Sequence, residues 1–240
     1  MNRLVGTAAA AAGLGAAAQW VPSVVSLGQW SPLRALPGRT CRWRGTGNRV
    51  ALTFDDGPSP AATPAVLDAL DRLDLRATFF CLGTHAARWP GLVDEIVQRG
   101  HAVGTHGHSH GHHLGRSPRW VLRDLDDALV TMAGLGVRPR WYRPPYGQVS
   151  GATMAAARFR RVELVLWSAW GREWTAPPAT TVARRVTAAL APGAIVLLHD
   201  SDACSTVGTS SKALAALWPI AEELDRRSLR AVTLDELVPR

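Results

Sequence analysis

Short apolar runs alternate with longer stretches of helical apolar spacing along the chain after residue 50. The apolar runs predict strands at residues 50–54, 77–82, 102–105, 141–143, 162–167, 194–199 and 231–234. Between them, the spacing predicts helices at residues 62–73, 90–99, 178–190 and 210–226. Ser117 followed by Pro118 is a favourable N-cap and first residue for a further helix. Strands that alternate with helices predict a parallel α/β sheet.

Two adjacent carboxylates follow the first predicted strand. Asp55 and Asp56 lie where this strand enters a turn made by Gly57 and Pro58. Loops that follow parallel strands commonly build active sites, so one aspartate could hold a metal and the other a proton. The alternative is a solvated acidic turn, since aspartate, glycine and proline are ordinary turn residues.

A histidine cluster follows the third predicted strand. Residues 106–113 contain five of the eight histidines of the chain. His106 and His110, four residues apart, have a spacing typical of compact metal sites, and imidazole is the commonest metal-ligating side chain. Two histidines and one aspartate would leave a coordination position open, as in catalytic zinc sites. The alternative is a histidine-rich surface loop that binds metal adventitiously.

Three further segments also lie at the ends of apolar runs, at residues 143–147, 167–174 and 195–200. Taken singly, they are consistent with a proline-stiffened turn, a buried aromatic patch and a core strand that ends in a histidine. Taken together with the acidic turn and the histidine cluster, they resemble, in composition and in order, the NodB-homology polysaccharide deacetylases. These carbohydrate esterases remove N- or O-acetyl groups from sugars. The resemblance extends from about residue 50 to the C-terminus.

The resemblance implies a distorted, incomplete (β/α) barrel that holds one divalent metal ion, most simply Zn²⁺. It implies metal ligands at Asp56, His106 and His110. Asp55 corresponds to the general base of the family, His199 to the general acid and Arg143 to the arginine that orients the base. For the substrate, Tyr146 corresponds to the residue whose backbone N–H helps to hold the oxyanion, and Trp174 and Leu197 line the acetyl-methyl pocket.

The chemistry of amide hydrolysis agrees with these roles. The reaction needs an activated water, stabilisation of charge on the carbonyl oxygen and a proton for the departing amine. A divalent metal, a carboxylate base and an imidazole acid can supply them without a covalent intermediate. The chain has no serine or cysteine in a nucleophile-elbow motif.

One segment departs from the family pattern. The family carries two aspartates and a tryptophan where this chain has Trp170, Glu173 and Trp174. Glu173 can replace the second aspartate, which supports the catalytic histidine, with one extra methylene. The first aspartate is replaced by Trp170. Because small displacements of catalytic groups change rates strongly, a change of substrate preference or efficiency is predicted.

The N-terminal composition differs from that of the rest of the chain, whose 240 residues contain no evident interior linker. Residues 1–45 are interpreted as an Ala/Gly-rich segment and residues 46–240 as the deacetylase domain. Alanines 16–18 before Gln19 resemble a signal cleavage site, which predicts a secreted or cell-envelope protein. A weak membrane anchor and an alanine-rich helix or disordered leader are the alternatives.

The formal net charge is +8, and Lys212 is the only lysine. The arginines are scattered and form no dense basic helix, so no nucleic-acid partner is expected, whereas association with an anionic wall polymer or membrane surface is compatible with the charge. A monomer acting on an acetylated glycan is expected. Cys41, Cys81 and Cys204 define no disulfide framework, although one pair could bridge. Two rival functions are a non-catalytic carbohydrate-binding protein and a hydrolase of small amides or acetylated metabolites.

Overall fold

The sheet is parallel and curls into a half-barrel. The computed structural model describes residues 41–42 and 44–239. Within them, eight strands run in the spatial order β5-β4-β3-β2-β1-β7-β6, and β8 pairs with the start of β1. The strands are β1 (Arg49–Asp55), β2 (Ala77–Cys81), β3 (Ala102–Thr105), β4 (Trp141–Tyr142), β5 (Glu163–Leu164), β6 (Ala169–Trp170), β7 (Ile195–His199) and β8 (Arg230–Ala231). The predicted fold class, an incomplete α/β barrel, is confirmed.

Helices connect the strands and cover the sheet. They are α1 (Thr63–Arg72), α2 (Gly83–Arg88), α3 (Pro90–Gln98), α4 (Pro118–Gly134), α5 (Gly151–Arg160), α6 (Ala179–Ala189), α7 (Thr209–Arg226) and α8 (Leu234–Leu237). Two short 3₁₀ turns, Pro145–Gly147 and Glu173–Thr175, follow β4 and β6. The expected N-cap of α4 is present, because the hydroxyl of Ser117 accepts a hydrogen bond from the Trp120 N–H at 3.2 Å.

The core lies between the central strands and the helices. Strand β1 is buried from its second residue onwards and pairs with β2, β7 and β8. Its Phe54 stacks on Phe79 of β2 with ring centroids 5.1 Å apart. A strand buried on both faces reads as a continuous apolar run, which is why residues 50–54 could be recognised in the sequence. The rigid centre of the sheet therefore carries Asp55 at its end.

Two predicted strands differ from the observed ones. The apolar run 162–167 forms a strand only at Glu163–Leu164, and the chain then turns and starts β6 at Ala169. The strand predicted at residues 231–234 is observed as β8 at Arg230–Ala231, and it ends there because Thr233 begins α8 through a capping box with Glu236. The capping residues turn the chain out of the sheet despite its apolar composition.

The segment before β1 links the β5 edge of the curled sheet to the start of β7. Arg42 pairs in parallel with Val165 after β5, and Arg44 pairs with Ala194 before β7. The Gly45 N–H donates to the Gly193 carbonyl at 2.8 Å. Most of the Ala/Gly-rich segment 1–45, including its predicted signal or anchor, lies outside the described residues.

No helix in the described ranges is both long and apolar enough to cross a membrane. All three cysteines belong to these ranges and carry free thiols. The buried Cys81 and the half-buried Cys41 and Cys204 are therefore unbridged in this structure.

Candidate metal-dependent active site

The acidic turn places its two carboxylates at the carboxyl end of β1. Asp55 ends the strand, and Asp56 has a left-handed backbone with φ of 74°. Gly57 packs so closely against the side chain of Asp200 that a Cβ at this position would collide with the carboxylate. Asp200 is itself fixed by a hydrogen bond of 2.6 Å from the Thr63 hydroxyl. The turn is therefore held from both sides, which sets the direction of Asp56.

Asp56, His106 and His110 form a buried donor cluster at this end of the sheet. One donor atom from each side chain lies within 4.8 Å of the other two. The Asp56 Oδ1 atom is 3.4 Å from His106 Nε2 and 3.1 Å from His110 Nε2. The His106 Nδ1–H donates to the Arg143 carbonyl at 2.7 Å, so its Nε2 presents a lone pair to the cluster. Converging oxygen and nitrogen donors of this kind fit a divalent cation.

The histidine loop after β3 is anchored by a carboxylate from α4. Asp124 is buried and accepts hydrogen bonds from the backbone N–H groups of His108 and Ser109, at 2.9 and 3.0 Å. It also accepts one from the Ser109 hydroxyl at 2.6 Å. These three bonds lie between His106 and His110 in the chain, so Asp124 fixes the path that brings both rings to one point.

Asp55 is bound by a fully buried arginine. The Arg143 Nη1 donates to Asp55 Oδ1 at 2.7 Å and to the Thr53 hydroxyl at 2.7 Å. Its Nη2 donates to the Leu166 carbonyl at 3.1 Å, and its guanidinium carbon lies 4.1 Å from the centre of the Phe80 ring. The other oxygen of Asp55 lies 3.7 Å from His106 Nε2 and so faces the donor cluster.

His199 ends β7 beside the same cluster. Its Nδ1–H donates to Glu173 Oε1 at 2.8 Å, and the side chain of Glu173 is completely buried. Burial lowers the pKa of His199, but the hydrogen bond and charge of Glu173, together with the charges of Asp56 and Asp55, outweigh it and raise the pKa to about 9. The imidazole is consequently a protonated acid near neutral pH, with Nε2–H as its free donor.

Eight of the ten predicted site residues line one cavity of about 600 Å³, and the other two, Arg143 and Glu173, bind Asp55 and His199 of its wall. Tyr146, Trp174 and Leu197 form part of its wall, as expected for substrate-contacting groups. Tyr146 has a left-handed backbone with φ of 57°, and Trp174 lies edge-on to His199 with ring centroids 5.5 Å apart. The structure thus brings all ten predicted site residues to the same end of the barrel.

Comparisons with known proteins identify the family of this fold and residue set. A family model described as polysaccharide deacetylase matches residues 44–165. A peptidoglycan-N-acetylglucosamine deacetylase of Bacillus cereus is 34% identical over 192 residues, which cover 79% of this chain and 87% of the relative. The chain belongs to the polysaccharide deacetylase family. The resemblance inferred from the motifs is therefore confirmed.

Two further relatives in the polysaccharide deacetylase family match this chain over most of its length. A chitooligosaccharide deacetylase of a Bradyrhizobium species is 34% identical over 196 residues, which cover 78% of this chain and 90% of that protein. A crystal structure of the Bc1960 peptidoglycan N-acetylglucosamine deacetylase superposes with a TM-score of 0.80 and 29% identity. That match covers 87% of this chain and 97% of the crystallised one.

Several residues of this polysaccharide deacetylase site could not be recognised from the motifs. Trp167 and Trp170 line the cavity and extend an aromatic row to Trp174, with ring centroids 5.5 and 5.2 Å apart. The loop after β7 adds Cys204, whose thiol has a pKa raised to about 12 by burial and is therefore a poor nucleophile. The density of tryptophans in residues 167–174 was the available signal for the wall.

Not every histidine of the cluster belongs to the site. His113 is buried away from the cavity, where its two ring nitrogens contact the Thr153 hydroxyl at 2.8 Å and the Tyr142 hydroxyl at 3.2 Å. His108 packs against Gly83. The fold, and not the spacing, separates the ligand pair from its neighbours, because donor atoms of His106 and His110 converge on Asp56 and those of His108 and His113 do not.

Proposed function

We propose that this chain is a metal-dependent hydrolase that removes N-acetyl groups from a cell-envelope or chitin-like glycan. One observation carries the proposal. An arginine-bound carboxylate, Asp55, and a carboxylate-bound imidazole, His199, flank a cluster of metal-donor atoms in a single cavity. A protein that only binds carbohydrate has no need for both a base and an acid at this place.

Asp55 is the proposed general base. Its Oδ1 is held by Arg143, which leaves Oδ2 directed towards the metal-donor cluster. In the reaction Oδ2 takes a proton from water while the water oxygen bonds to the acetyl carbon. Arg143 then keeps the carboxyl group in place, and its own position is fixed by Thr53 and Leu166. Precise placement of the base accounts for a large part of the rate in such a step.

His199 is the proposed general acid. Its Nδ1 is engaged by Glu173, so only Nε2–H is available to the substrate. As the bond between the acetyl carbon and the sugar nitrogen breaks, this proton passes to the nitrogen, and acetate and a free amine result. Tyr146 is proposed to direct its backbone N–H at the carbonyl oxygen, and Trp174 and Leu197 to enclose the acetyl methyl.

Asp56, His106 and His110 would hold the metal. Two imidazoles and one carboxylate match the donor preferences of Zn²⁺, which is therefore the proposed ion. When bound, such an ion polarises a carbonyl group and makes water a better nucleophile at neutral pH. The aspartate is secured by the neighbouring Gly57 contact, and the first histidine by the Arg143 carbonyl.

The names of the relatives suggest the substrate class. The matched relatives are named as deacetylases of peptidoglycan N-acetylglucosamine and of chitooligosaccharides. We accordingly assign an N-acetylglucosamine-containing glycan as substrate and the cell envelope as the place of action. Residues 1–45 would then serve for export or anchoring.

Acetate release tests the proposal. The protein is incubated with chitooligosaccharide, peptidoglycan, an O-acetylated glycan and a small acetamide, with and without chelator. Acetate should appear from the N-acetylated glycans, disappear on chelation and return with Zn²⁺. Asp55→Asn should keep the metal and lose at least about a hundredfold in rate, the lower end of the contribution of a general base.

Turnover that survives both full chelation and Asp55→Asn would contradict the mechanism. Release from the small acetamide alone would instead assign the site to small acetylated metabolites. Tight glycan binding without acetate release would favour the binding-protein alternative.

A further inference from the structure

A second cavity adjoins the proposed active site. It has a volume of about 380 Å³, and Trp167 and Trp170 line both cavities. Its other walls include Arg172, from the loop after β6, and Arg185, from α6. None of its described lining residues is acidic. Two indole rings therefore separate a deacetylation cavity from a neighbouring cationic one.

The guanidinium group of Arg172 is preorganised, and no described carboxylate pairs with it. Its carbon lies 4.5 Å from the centre of the Trp170 ring, so the planar group stacks on the indole. A stacked guanidinium uses its face and keeps its N–H edge free for other acceptors. Glu173, the adjacent carboxylate, is buried and bonded to His199 instead.

Arg185 brings a second positive charge to the same cavity from a different element. Its Nη1 donates to the Gly171 carbonyl at 3.1 Å, which ties the side chain to the loop that carries Arg172. Among the described residues, no carboxylate forms an ion pair with either arginine. Two like charges held near one another without a partner favour the binding of an anion.

Trp170, where the family pattern has an aspartate, leaves the positive charge of this cavity without a neighbouring carboxylate among the described lining residues. An aspartate at this position, as in the family pattern, would put a negative charge two residues before Arg172. The tryptophan instead supports the guanidinium through its ring and adds no negative charge. The substitution thus leaves both arginine charges of the cavity without a carboxylate beside them in its described lining.

We infer that the cavity between Trp170, Arg172 and Arg185 is a subsite for an anionic substituent of the glycan. The substituent is a carboxylate or a phosphate on a sugar next to the one that is deacetylated. Guanidinium groups bind both through paired N–H donors, so the shared chemistry is an oxyanion with two acceptor oxygens. This inference rests on the proposed deacetylase function, since the subsite would select among acetylated glycans.

Four matched substrates test the subsite. The first is an oligomer of alternating N-acetylglucosamine and N-acetylmuramic acid with free lactyl carboxylates, and the second is the same oligomer after its carboxylates are converted to methyl amides. The third is neutral N-acetylglucosamine tetramer, and the fourth is that tetramer with a phosphate monoester. Each is assayed for kcat/KM by acetate release with the full-length, Zn²⁺-loaded protein.

We expect the parent to prefer at least one anionic substrate over its neutral counterpart. Arg172→Gln and Arg185→Gln should each lower kcat/KM on that substrate about tenfold, the effect of losing a charge-assisted hydrogen bond. Their activity on the neutral tetramer should stay within about twofold of the parent, as for surface substitutions away from the chemistry. Arg184→Gln, exposed on the same helix but outside the cavity, is the matched control and should change neither. The anionic substrate that the parent prefers shows whether the subsite binds a carboxylate or a phosphate.

Equal kcat/KM of the parent on the anionic and neutral members of both pairs would overturn the subsite and leave the deacetylase proposal standing. The subsite is also rejected, and the deacetylase proposal kept, if the two arginine variants lose activity equally on all four substrates, since that would indicate a structural role. Absence of acetate from every substrate would instead remove the proposed function. In that case binding of the four oligomers to the parent, measured by calorimetry, decides the subsite, and equal affinities would reject it.

Discussion

His106 and His199, two of the three histidines with proposed roles, differ in the partner of their second ring nitrogen. His106 donates from Nδ1 to a backbone carbonyl, a neutral acceptor that directs the Nε2 lone pair at the metal-donor cluster. His199 donates from Nδ1 to the Glu173 carboxylate, a charged acceptor that stabilises the imidazolium. The contact to the carbonyl therefore suits a metal ligand, and the contact to the carboxylate suits a general acid, although the two side chains are chemically identical.

Removing the charge of Glu173 should move the pH dependence of the reaction. The acid must be protonated, so activity falls as pH rises through the pKa of His199, which Glu173 raises to about 9. Glu173→Gln should therefore shift the alkaline limb of kcat to lower pH and reduce kcat, whereas Glu173→Asp should keep the limb near its original position. The measurement is a pH profile of kcat on an N-acetylated glycan.

The double variant separates a positioning role from a substrate contact. If Glu173 acts through His199, then Glu173→Gln combined with His199→Ala should be little slower than His199→Ala alone, because groups that act as a unit are not additive. Fully additive losses would assign Glu173 another role.

Individual ligand removal should distinguish between histidines of the same loop. His106→Ala removes one of three donors and should abolish stoichiometric Zn²⁺ binding together with activity. His108→Ala, two residues away and packed on Gly83, should retain the metal. Elemental analysis of the purified variants provides the measurement. A His106→Ala protein with a full complement of zinc would exclude this cluster as the metal site.

At the scale of elements, the helix α4 controls the loop that carries the histidines. Replacement of Asp124 by alanine removes three hydrogen bonds from this loop and should weaken Zn²⁺ binding about tenfold, within the range known for outer-shell partners of metal ligands. Competition with a chromogenic chelator measures the affinity. Asp127→Ala, exposed on the same helix, is the control and should leave the affinity unchanged. A loss of thermal stability in Asp124→Ala without any change in zinc affinity would contradict the positioning role.

The elements that the sequence predicted correctly are those whose own residues determine them. The apolar run predicted β1 because the buried positions of this strand are continuous. The apolar spacing predicted α1, α3 and α7 because the buried positions of these helices recur with the helical period. The six residues of α2 are too few to show a period, and α5 is alanine-rich with little apolar contrast. Strand β6 has two residues and depends on its pairing with β7, which is a property of the tertiary structure.

The residues of the candidate site divide in the same way, into those that a local motif reveals and those that depend on the tertiary structure. The proposed ligands, base and acid occur in motifs because each has few chemical substitutes, and their order along the chain made them recognisable. Cys204 and Asp124 occur in no such motif, because their roles depend on which surfaces face the cavity or the loop. Their contributions could be found only once the barrel had brought the segments together.

At the scale of the whole molecule, the segment before β1 joins the β5 edge of the half-barrel to the start of β7. Gly193 has φ of 76°, and a Cβ there would collide with the backbone of Gly45. Gly193→Ala should therefore displace that segment and break the hydrogen bond between Gly45 and Gly193. The free energy of unfolding should then fall by about 1 kcal/mol more than the strain of a left-handed alanine would cause by itself.

Gly136→Ala provides the reference for backbone strain. Gly136 has a similar φ of 75°, but a Cβ added there would meet no atom within 4 Å, so its substitution should cost only the strain, on the order of 1 to 2 kcal/mol. Urea unfolding of both full-length variants measures the difference. Equal losses would show that the bridge between Gly45 and Gly193 contributes nothing to stability.

Arg143 serves the site twice, through its side chain to Asp55 and through its backbone carbonyl to His106. Point mutation can delete the first contribution but not the second, since every amino acid retains a carbonyl. Loss of the guanidinium contact to Asp55 and loss of the carbonyl contact to His106 would therefore need different changes. A variant that loses the guanidinium would keep the backbone acceptor of the proposed metal ligand, so this position offers a one-codon route from the proposed enzyme to a glycan-binding protein without turnover.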